Sequence, residues 1–354
     1  MKLSQLLVKP TLLPLSLLLG SLITISTASA DSKYVAQPGH PSLQKWLLPD
    51  EPPYPADNKP SPARIALGKQ LYFDPRIGRD GNMSCATCHS PMLGWSDGLP
   101  TAKGFKSQVL GRASPVITNT AFNSLQMWDG RKKSLEDQAT GPMEATVEMN
   151  TDMIALKRLL NNNGYREAFA EAYPGEPVNA TTAGKAIAAF ERTIISNNSA
   201  FDRWVKGDTN AMSVQQVQGF KLFIDPDKGN CEVCHSAPNF TDNGFHNVGL
   251  ASYGKENPDM GRYAQKPIRI LKGAFKTPTL RDIELSAPYF HDGSSSTLME
   301  AVQHYNRGGE VKQDLSPNIK PLKLNQQEME AIVAFMKALT TPQKPFKLPL
   351  LPLE

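Results

Sequence analysis

Two short stretches decide the fold: residues 85–89 read Cys85-Ala-Thr-Cys88-His89, and residues 231–235 read Cys231-Glu-Val-Cys234-His235. The spacing C-x-x-C-H is typical of covalent haem c attachment, in which both thiols form thioethers and the His binds the iron. All four cysteines of the chain lie in these motifs, so none is left for disulfides. A zinc site and a redox dithiol are the alternatives. The His at the same place in both motifs favours two covalently bound haem c groups.

The two motifs belong to a longer repeat. Further segments match in the same order in both halves of the chain, which indicates a duplicated domain. Residues 68–75 match 219–226, and residues 186–192 match 331–337. Between them, Pro115 is followed thirteen residues later by Trp128-Asp-Gly, and Pro278 is followed thirteen residues later by His291-Asp-Gly.

Apolar periodicity predicts helices over 63–73, 181–196 and 325–339. The last of these begins at Asn325 with Glu328 three residues later, which is a capping-box arrangement. A helix before each C-x-x-C-H motif and one closing each half is the plan of a small cytochrome c. We therefore expect an all-α fold of two tandem cytochrome c-like domains with one covalent haem c each. The 25 Gly and 29 Pro indicate a loop-rich chain.

The first residues predict export. Lys2 and Lys9 accompany an apolar run over 12–25, and Ala28-Ser29-Ala30 is a small-residue cleavage site. We expect residues 1–30 to be a signal peptide cleaved after Ala30 and the protein to work in the periplasm. The run is short and contains Pro14, so we do not expect the protein to be membrane-embedded. The balance of 38 Lys and Arg against 34 acids gives no support for nucleic-acid binding.

The remaining chain divides into four parts. Residues 31–60 are rich in proline and predict an extended arm on the surface. The first haem domain is expected at 61–205 and the second at 206–342, with turn-forming residues such as Gly207 near the boundary. Residues 343–354 form a Pro-rich tail, for which we expect irregular packing or fraying.

Longer motifs resemble those of the bacterial di-haem cytochrome c peroxidase and MauG family, and they extend over nearly all of the exported chain. They are Gln126-Met-Trp128-Asp-Gly-Arg131, Pro142 with Glu148-Met149, and Thr277-Pro-Thr-Leu-Arg281 through Pro288-Tyr-Phe-His291-Asp-Gly293. The resemblance implies two cytochrome c-like helical domains. The N-terminal haem domain would react with peroxide, and the C-terminal haem domain would transfer electrons.

The resemblance also implies roles for three side chains. Trp128 would carry electrons between the haems, which suits an oxidisable indole. Glu148 would take a proton from hydrogen peroxide and return it to the departing oxygen, and such a carboxyl needs a raised pKa. Gln138 would help to position the peroxide. Without the family motif, each of these residues could equally be an ordinary core or surface residue.

The second face of the N-terminal haem is expected to be open. Family members that need reductive activation place a His there, and the gap-free count brings that position to Phe105, which cannot bind iron. The residue fourteen after Trp128 is Pro142, which cannot bind iron either. The methionines Met92, Met127 and Met143 are alternative ligands, which we interpret as core or pocket residues.

The same count in the second half leads to Tyr305, fourteen residues after His291. The resemblance implies that ordinary peroxidases have a Met ligand at this position and MauG a Tyr. A phenolate is a hard anion that favours ferric and higher states of the iron. The alternatives are that Tyr305 only packs, and that His304 or Met299 binds the iron.

The remaining polar candidates are less specific. We interpret His291 and His246 as groups in the haem neighbourhood and His40 as solvated. Three arginines could pair with haem propionates or form surface ion pairs; they are Arg112, Arg131 and Arg281.

The family resemblance also implies a calcium ion between the domains. Its ligands would be the carbonyls of Ser286 and Pro288 and an Asn side chain. The Asn position counts to Ala113 in this chain, which weakens the calcium prediction.

Three functions compete. The first is a peroxidase of the cytochrome-c peroxidase type, which reduces hydrogen peroxide to water with electrons from a small cytochrome c or a cupredoxin. The second is a MauG-like enzyme that uses peroxide to oxidise Trp or Tyr residues of a protein substrate, which Phe105 and Tyr305 favour. The third is a di-haem electron carrier without enzymatic activity.

Overall fold

The computed structural model describes residues 33–353, apart from the side chain of Asn163, and these residues are mostly helical or irregular. The α-helices in this range are α1 (Pro62–Phe73), α2 (Cys85–Cys88), α3 (Leu135–Glu144), α4 (Met153–Leu160), α5 (Asn163–Ala172), α6 (Ala180–Glu191), α7 (Ala200–Val205), α8 (Val214–Ile224), α9 (Leu298–Asn306) and α10 (Gln326–Lys337). Two short strands, β1 (Phe245–His246) and β2 (Phe275–Lys276), pair antiparallel. The mostly helical class is confirmed, with this strand pair as a small addition.

Short 3-10 helices occupy much of the chain between the α-helices. They are Pro41–Trp46, Pro75–Ile77, Pro91–Leu93, Phe105–Ser107, Thr120–Phe122, Cys231–Val233, Ala251–Gly254, Arg262–Ala264, Arg269–Leu271 and Ile283–Leu285. Single turns separated by irregular backbone agree with the high content of glycine and proline, since neither residue continues a helix well.

In each half, two helices cross at a glycine. A Cβ placed on Gly68 of α1 would lie 1.8 Å from the carbonyl oxygen of Ala186 in α6. The repeat reproduces this crossing, because a Cβ on Gly219 of α8 would lie 1.9 Å from the carbonyl oxygen of Ala331 in α10. Neither helix pair could approach as closely with a side chain at these positions. The matched glycines of the repeat therefore hold the same close helix packing in both halves.

The predicted helices are present with shifted ends. The first two were expected over 63–73 and 181–196, and they are observed as α1 and α6, with α6 ending five residues early at Glu191. The last helix, α10, begins after Asn325 as expected. The side chain of Asn325 accepts from the amide of Glu328, and the Glu328 carboxylate accepts from the amide of Asn325. The capping box is confirmed.

Residues 31–60 were expected to lie on the surface, and this expectation is wrong for their centre. Pro41–Trp46 forms a 3-10 helix, and Leu43 and Trp46 have no exposed surface. The Trp46 ring lies 5.7 Å from Phe220 and 4.8 Å from Phe240 between ring centroids. A Trp side chain buries a large apolar area when it is covered on all sides. An extended arm on the surface would leave much of that area exposed to water. Leu43 and Trp46 are thus part of the core of the second half.

Helix α7 belongs to the same core. Its side chains Phe201, Trp204 and Val205 are buried in one apolar cluster with Phe220 and Phe335. The stretch expected to separate two domains therefore packs with the second half from residue 201 onward. Contacts join the chain from Tyr34 onward into one compact unit, and a domain boundary between residues 205 and 206 stays a prediction.

The C-terminal tail crosses back to the first half without regular structure. The ring of Phe346 lies 5.2 Å from Phe73 and 5.4 Å from Trp95. The carbonyl of Pro352 accepts from the Arg76 guanidinium at 3.0 Å. The expectation of irregular packing is thus met up to residue 353.

Two expectations concern membranes and export. The signal peptide expected at 1–30 lies outside the described residues. Between residues 33 and 353, no helix has the length and apolar character that a membrane span requires.

Candidate functional site

Both C-x-x-C-H motifs open onto one cavity of about 770 Å³. Its walls are largely apolar and come from both halves of the chain. Polar side chains with a predicted functional role line this cavity besides the motif residues themselves, and they include Gln138, Glu148, His246, His291 and Tyr305. One continuous space therefore joins the two motifs.

The motif histidines are placed as neutral bases. Burial lowers the pKa of His89 and His235. The Nδ1 of His235 lies 3.0 Å from the carbonyl oxygen of Phe240, to which it donates in one tautomer, and this leaves Nε2 as the metal-binding nitrogen. The Nδ1 of His89 is buried without a hydrogen-bond partner. Neutral imidazoles on the wall of a large apolar cavity fit haem iron.

The four cysteines also fit haem better than zinc. All four are free thiols at intermediate burial, and burial raises the pKa of Cys88 to about 11 and that of Cys231 to about 12. Zinc would need thiolates. Among the described residues, one group of three candidate metal ligands comes together, and it contains a single cysteine, Cys234, beside Asp242 and His246. The zinc alternative gains no support from this geometry.

Trp128 lies on the cavity wall and is held at both ends. Its indole Nε1 donates to the carbonyl of Ala113 at 2.9 Å, and its own carbonyl accepts from the amide of Lys276 at 2.8 Å. The indole ring lies 6.4 Å from the ring of His291. The side chain is therefore fixed against residues of both halves.

Glu148 and Gln138 line the cavity with Cys88 and His89. Burial raises the pKa of Glu148, and the positive charge of Arg131 opposes that rise. One Glu148 oxygen lies 3.8 Å from the Arg131 guanidinium. A carboxyl with a raised pKa in a mostly apolar pocket can accept and return a proton near neutral pH.

The loop at Phe105 supports Glu148 from behind. The Phe105 amide donates to the carbonyl of Glu148 at 2.7 Å, and the Phe105 ring lies off the cavity wall. Pro142 in α3 does line the cavity. The structure thus brings no nitrogen or oxygen side chain from either expected distal position, 105 or 142, into the first pocket.

The three methionines differ in position. Met127 lines the cavity, and Met143 is buried in the core of the first half. Met92 is 82% exposed, so the expectation that it is a core or pocket residue is wrong. An exposed thioether in the turn Pro91–Leu93 has nothing to pack against.

Tyr305 lines the second part of the cavity with Cys231, Cys234 and His235. Burial and the two nearby thiols raise the pKa of its phenol. His304 points elsewhere: its Nε2 lies 2.8 Å from the carbonyl of Val248, and neither His304 nor Met299 lines the cavity. Of the three candidate ligands, Tyr305 is the one the structure brings to the second motif.

His291 and His246, which we expected near the haems, are each held against a specific neighbour. His291 stacks on Phe275 with 3.5 Å between ring centroids, and burial lowers its pKa to about 4. His246 is hydrogen-bonded to Asp242 at 2.8 Å, and this bond and the nearby Cys234 raise its pKa to about 10. Both rings line the cavity.

The three arginines separate into two groups. Arg112 and Arg131 line the cavity, where Arg112 binds Asp129 at 2.9 Å. Arg281 is different, because it forms an ion pair with Asp202 at 2.9 Å in which both side chains are fully buried. It was expected to contact a propionate or to form a surface ion pair, and both expectations are wrong. Its guanidinium is already saturated by Asp202 and by the carbonyls of Trp46 and Pro238.

The calcium prediction stays a prediction. Ser286, Pro288 and Ala113 all line the cavity, but Ala113 has no side-chain oxygen and its amide donates to the carbonyl of His291 at 2.7 Å. The donor set is thus short of the side-chain ligand that the resemblance implied.

Sequence reasoning missed two buried charges in the cavity. Lys276 is 7% exposed, and burial lowers its pKa to about 8. Glu191 is 4% exposed, and burial raises its pKa to about 8. The repeat carried a signal for both, because Glu191 aligns with Met336 and Lys276 with Ala113. At each of these two repeated positions, one half of the chain has an ionisable residue and the other has an apolar one. The two parts of the cavity therefore differ in buried charge.

This chain is similar to known proteins of one family. Residues 62–210 match the family described as di-haem cytochrome c peroxidase. The chain is 40% identical to methylamine utilization protein MauG of Methylorubrum extorquens over 92% of both chains. It is 38% identical to cytochrome c551 peroxidase of Nitrosomonas europaea, covering 81% of this chain and 82% of that protein.

A solved structure agrees. The crystal structure of a MauG-like protein associated with microbial copper homeostasis superposes with a TM-score of 0.77 at 28% identity, covering 83% of this chain and 95% of that one. Identity of this level over nearly the whole length, together with the shared fold and the paired motifs, leads to one conclusion. The chain belongs to the di-haem cytochrome c peroxidase family, and it is an oxidoreductase.

Proposed function

We propose that this protein is a periplasmic c-type di-haem peroxidase that reduces hydrogen peroxide to water with electrons from a small redox protein. The observation that carries the proposal is the single cavity, which contains both C-x-x-C-H motifs, Trp128 and Glu148. The relatives named cytochrome c551 peroxidase support the reaction class.

Cys85, Cys88 and His89 would hold the first haem, and Cys231, Cys234, His235 and Tyr305 the second. A bound haem supplies the iron at which peroxide is reduced. The chain itself supplies proton transfer and position. The Glu148 carboxylate accepts a proton from hydrogen peroxide, and the resulting carboxylic acid returns it to the departing oxygen, which leaves as water.

Reduction of hydrogen peroxide to two water molecules also needs two electrons, which come from the external donor, and two further protons, which come from solvent. Trp128 is the side chain we assign to electron transfer across the cavity, because its indole donates to the Ala113 carbonyl in the first half and lies 6.4 Å from the His291 ring in the second. The cytochrome c or cupredoxin that delivers these electrons would dock near the second pocket.

A second candidate function is oxidation of Trp or Tyr residues in a partner protein, as proposed for a MauG-like enzyme. Tyr305 on the second part of the cavity favours it, since a phenolate ligand stabilises oxidised iron. The 40% identity to a methylamine utilization protein MauG supports the same alternative.

EPR and optical spectroscopy of the ferric protein, before and after one equivalent of hydrogen peroxide, test the proposal. We expect a high-spin signal that disappears on addition of peroxide, followed by return to the ferric state with a reduced donor. An oxidised species that persists after peroxide addition, and that oxidises Trp or Tyr residues of a partner protein, would favour the second candidate. Two low-spin haems that peroxide leaves unchanged, both before and after partial reduction, would contradict both and indicate an electron carrier.

A further inference from the structure

Glu191 is a buried carboxyl that no described side chain pairs with directly. It is 4% exposed, and its Oε2 is buried without a hydrogen-bond partner. The neighbouring cation does not neutralise it, because the Arg192 guanidinium binds the carboxylate of Glu136 at 2.7 Å. An unsatisfied buried carboxyl costs stability, so its retention needs a reason outside the packing of the helix.

The position of Glu191 in its helix makes the carboxylate still less favourable. Glu191 is the last residue of α6, where the helix dipole disfavours negative charge. Burial raises its pKa to about 8, with Arg192 opposing the rise and Glu136 adding to it. The carboxyl therefore changes its protonation state near neutral pH in response to a small change of charge nearby.

The groups that face Glu191 come from every element packed around it. Tyr72 on α1 and Cys85 on α2 both have their pKa values raised in part by the Glu191 charge. Glu136 on α3 is already paired with Arg192. The cations of α4 are exposed; they are Lys157 and Arg158. No described cation is thus hydrogen-bonded to the Glu191 carboxyl.

The repeat supplies the comparison that gives Glu191 its meaning. Glu191 lies on the part of the cavity wall next to Cys85, and its repeat partner Met336 lies on the wall of the second pocket. Helices α6 and α10 both have Phe at the preceding position, Phe190 and Phe335, and they differ at this next position. The first haem site has an ionisable group where the second has a thioether.

We propose that Glu191 takes up one proton from solvent when the haem held by Cys85 and Cys88 gains one electron, and releases it when that electron leaves. This inference rests on the proposed function, which places a haem in the first pocket. The step balances as follows: one electron converts ferric to ferrous haem, and one proton from solvent converts the Glu191 carboxylate to a carboxylic acid. The electron comes from the small donor protein. The second pocket has Met336 at the matching position and therefore lacks this proton acceptor.

The test is a spectroelectrochemical titration of the holoprotein between pH 6 and pH 10, without peroxide. The titration contains two one-electron components. In the wild type, we expect the midpoint potential of one of them to fall by up to about 59 mV for each unit that the pH rises, which makes that haem tenfold harder to reduce. Glu191→Gln should remove this pH dependence from that component and leave the other unchanged. Met336→Gln is the matched control in the second pocket and should keep the dependence.

Other outcomes overturn the proposal. A wild-type pH dependence that persists in Glu191→Gln, or one that Glu148→Gln abolishes instead, would assign the proton to another group. If Glu191→Gln fails to fold, Glu191→Met, which copies the repeat partner, serves as the second variant. Failure of the proposed function is distinguishable, because it would appear as missing covalent haem or as two haems inert to peroxide.

Discussion

The backbone amide of Lys276 donates to the carbonyl of Trp128 at 2.8 Å, and the repeat-related amide of Ala113 donates to the carbonyl of His291 at 2.7 Å. The two hydrogen bonds form a pseudo-symmetric pair across the cavity. Lys276 and Ala113 each lie two residues before the repeated proline, and each binds the backbone of the ring-bearing residue in the other half. The duplication thus accounts for how Trp128 is fixed at the junction of the two pockets.

Trp128→Phe tests whether this position carries electrons. We expect peroxide turnover with an external donor to fall at least about tenfold, because the oxidisable indole is lost. Loss of the Nε1 hydrogen bond to Ala113 should cost about 1 kcal/mol of stability. Steady-state turnover and thermal unfolding measure the two effects.

Trp95→Phe is the control for Trp128→Phe. Trp95 packs among Tyr72, Phe190 and Phe346 away from the cavity wall, so its replacement should lower stability and leave turnover near the wild-type value. Equal turnover losses in the two variants would mean that Trp128 acts through packing alone.

Arg131 tunes the acid–base group and provides a pH test. Its positive charge, 3.8 Å from Glu148, lowers a pKa that burial raises. The proton acceptor must be ionised, so the peroxide reaction is lost as pH falls through the pKa of Glu148. Arg131→Met removes the cation and should move this acid limb to higher pH, whereas Arg131→Lys should leave it nearly in place.

The rate of the first peroxide reaction, followed by stopped-flow between pH 4 and pH 8, checks this shift. Glu148→Gln should lower the rate about 10²- to 10⁴-fold at pH values above the acid limb, and the difference from the wild type should shrink as pH falls through the pKa of Glu148. An acid limb that stays in place in Arg131→Met would show that another group accepts the proton.

Much of this organisation is readable from local patterns. The C-x-x-C-H motifs and the capping box at Asn325 are short-range signals; the capping box forms as expected, and both motifs lie on the cavity wall. The burial of Trp46 is not readable in this way, because Phe220 and Phe240, which cover it, lie more than 170 residues later in the chain. The sequence of a Pro-rich segment around a Trp does not show whether such distant partners exist.

Glu191 shows the same limit for a site residue. Its neighbours in sequence predict an ordinary polar helix end, and its burial comes from the packing of α6 against α1 and α3. The comparison with Met336 was available from the sequence, but only depth in the cavity shows that the difference involves a buried charge.

Tyr305→Phe tests the ligand of the second haem. Phenylalanine cannot bind iron, so we expect the EPR and optical spectrum of one haem to change and its potential to rise, since the anionic ligand is lost. Acidification of the wild type should act in the same direction, because a protonated phenol is a poor ligand.

The matched variant is His304→Gln. It removes the ring that lies 2.8 Å from the carbonyl of Val248, and it should lower stability while leaving both haem spectra as in the wild type. If His304→Gln changes the spectrum and Tyr305→Phe does not, the ligand assignment is wrong.

The glycine crossings make the last prediction, which concerns folding rather than chemistry. In Gly219→Ala the new Cβ would lie 1.9 Å from the carbonyl oxygen of Ala331. Backbone on both sides must then separate, which costs about 1–3 kcal/mol or more and lowers the melting temperature by several °C. Gly111→Ala is the control, because nothing lies within 4 Å of its new Cβ. Thermal unfolding of both holoproteins decides: equal melting temperatures would mean that α8 and α10 can move apart freely, and the close crossing would then not explain why both halves keep a glycine there.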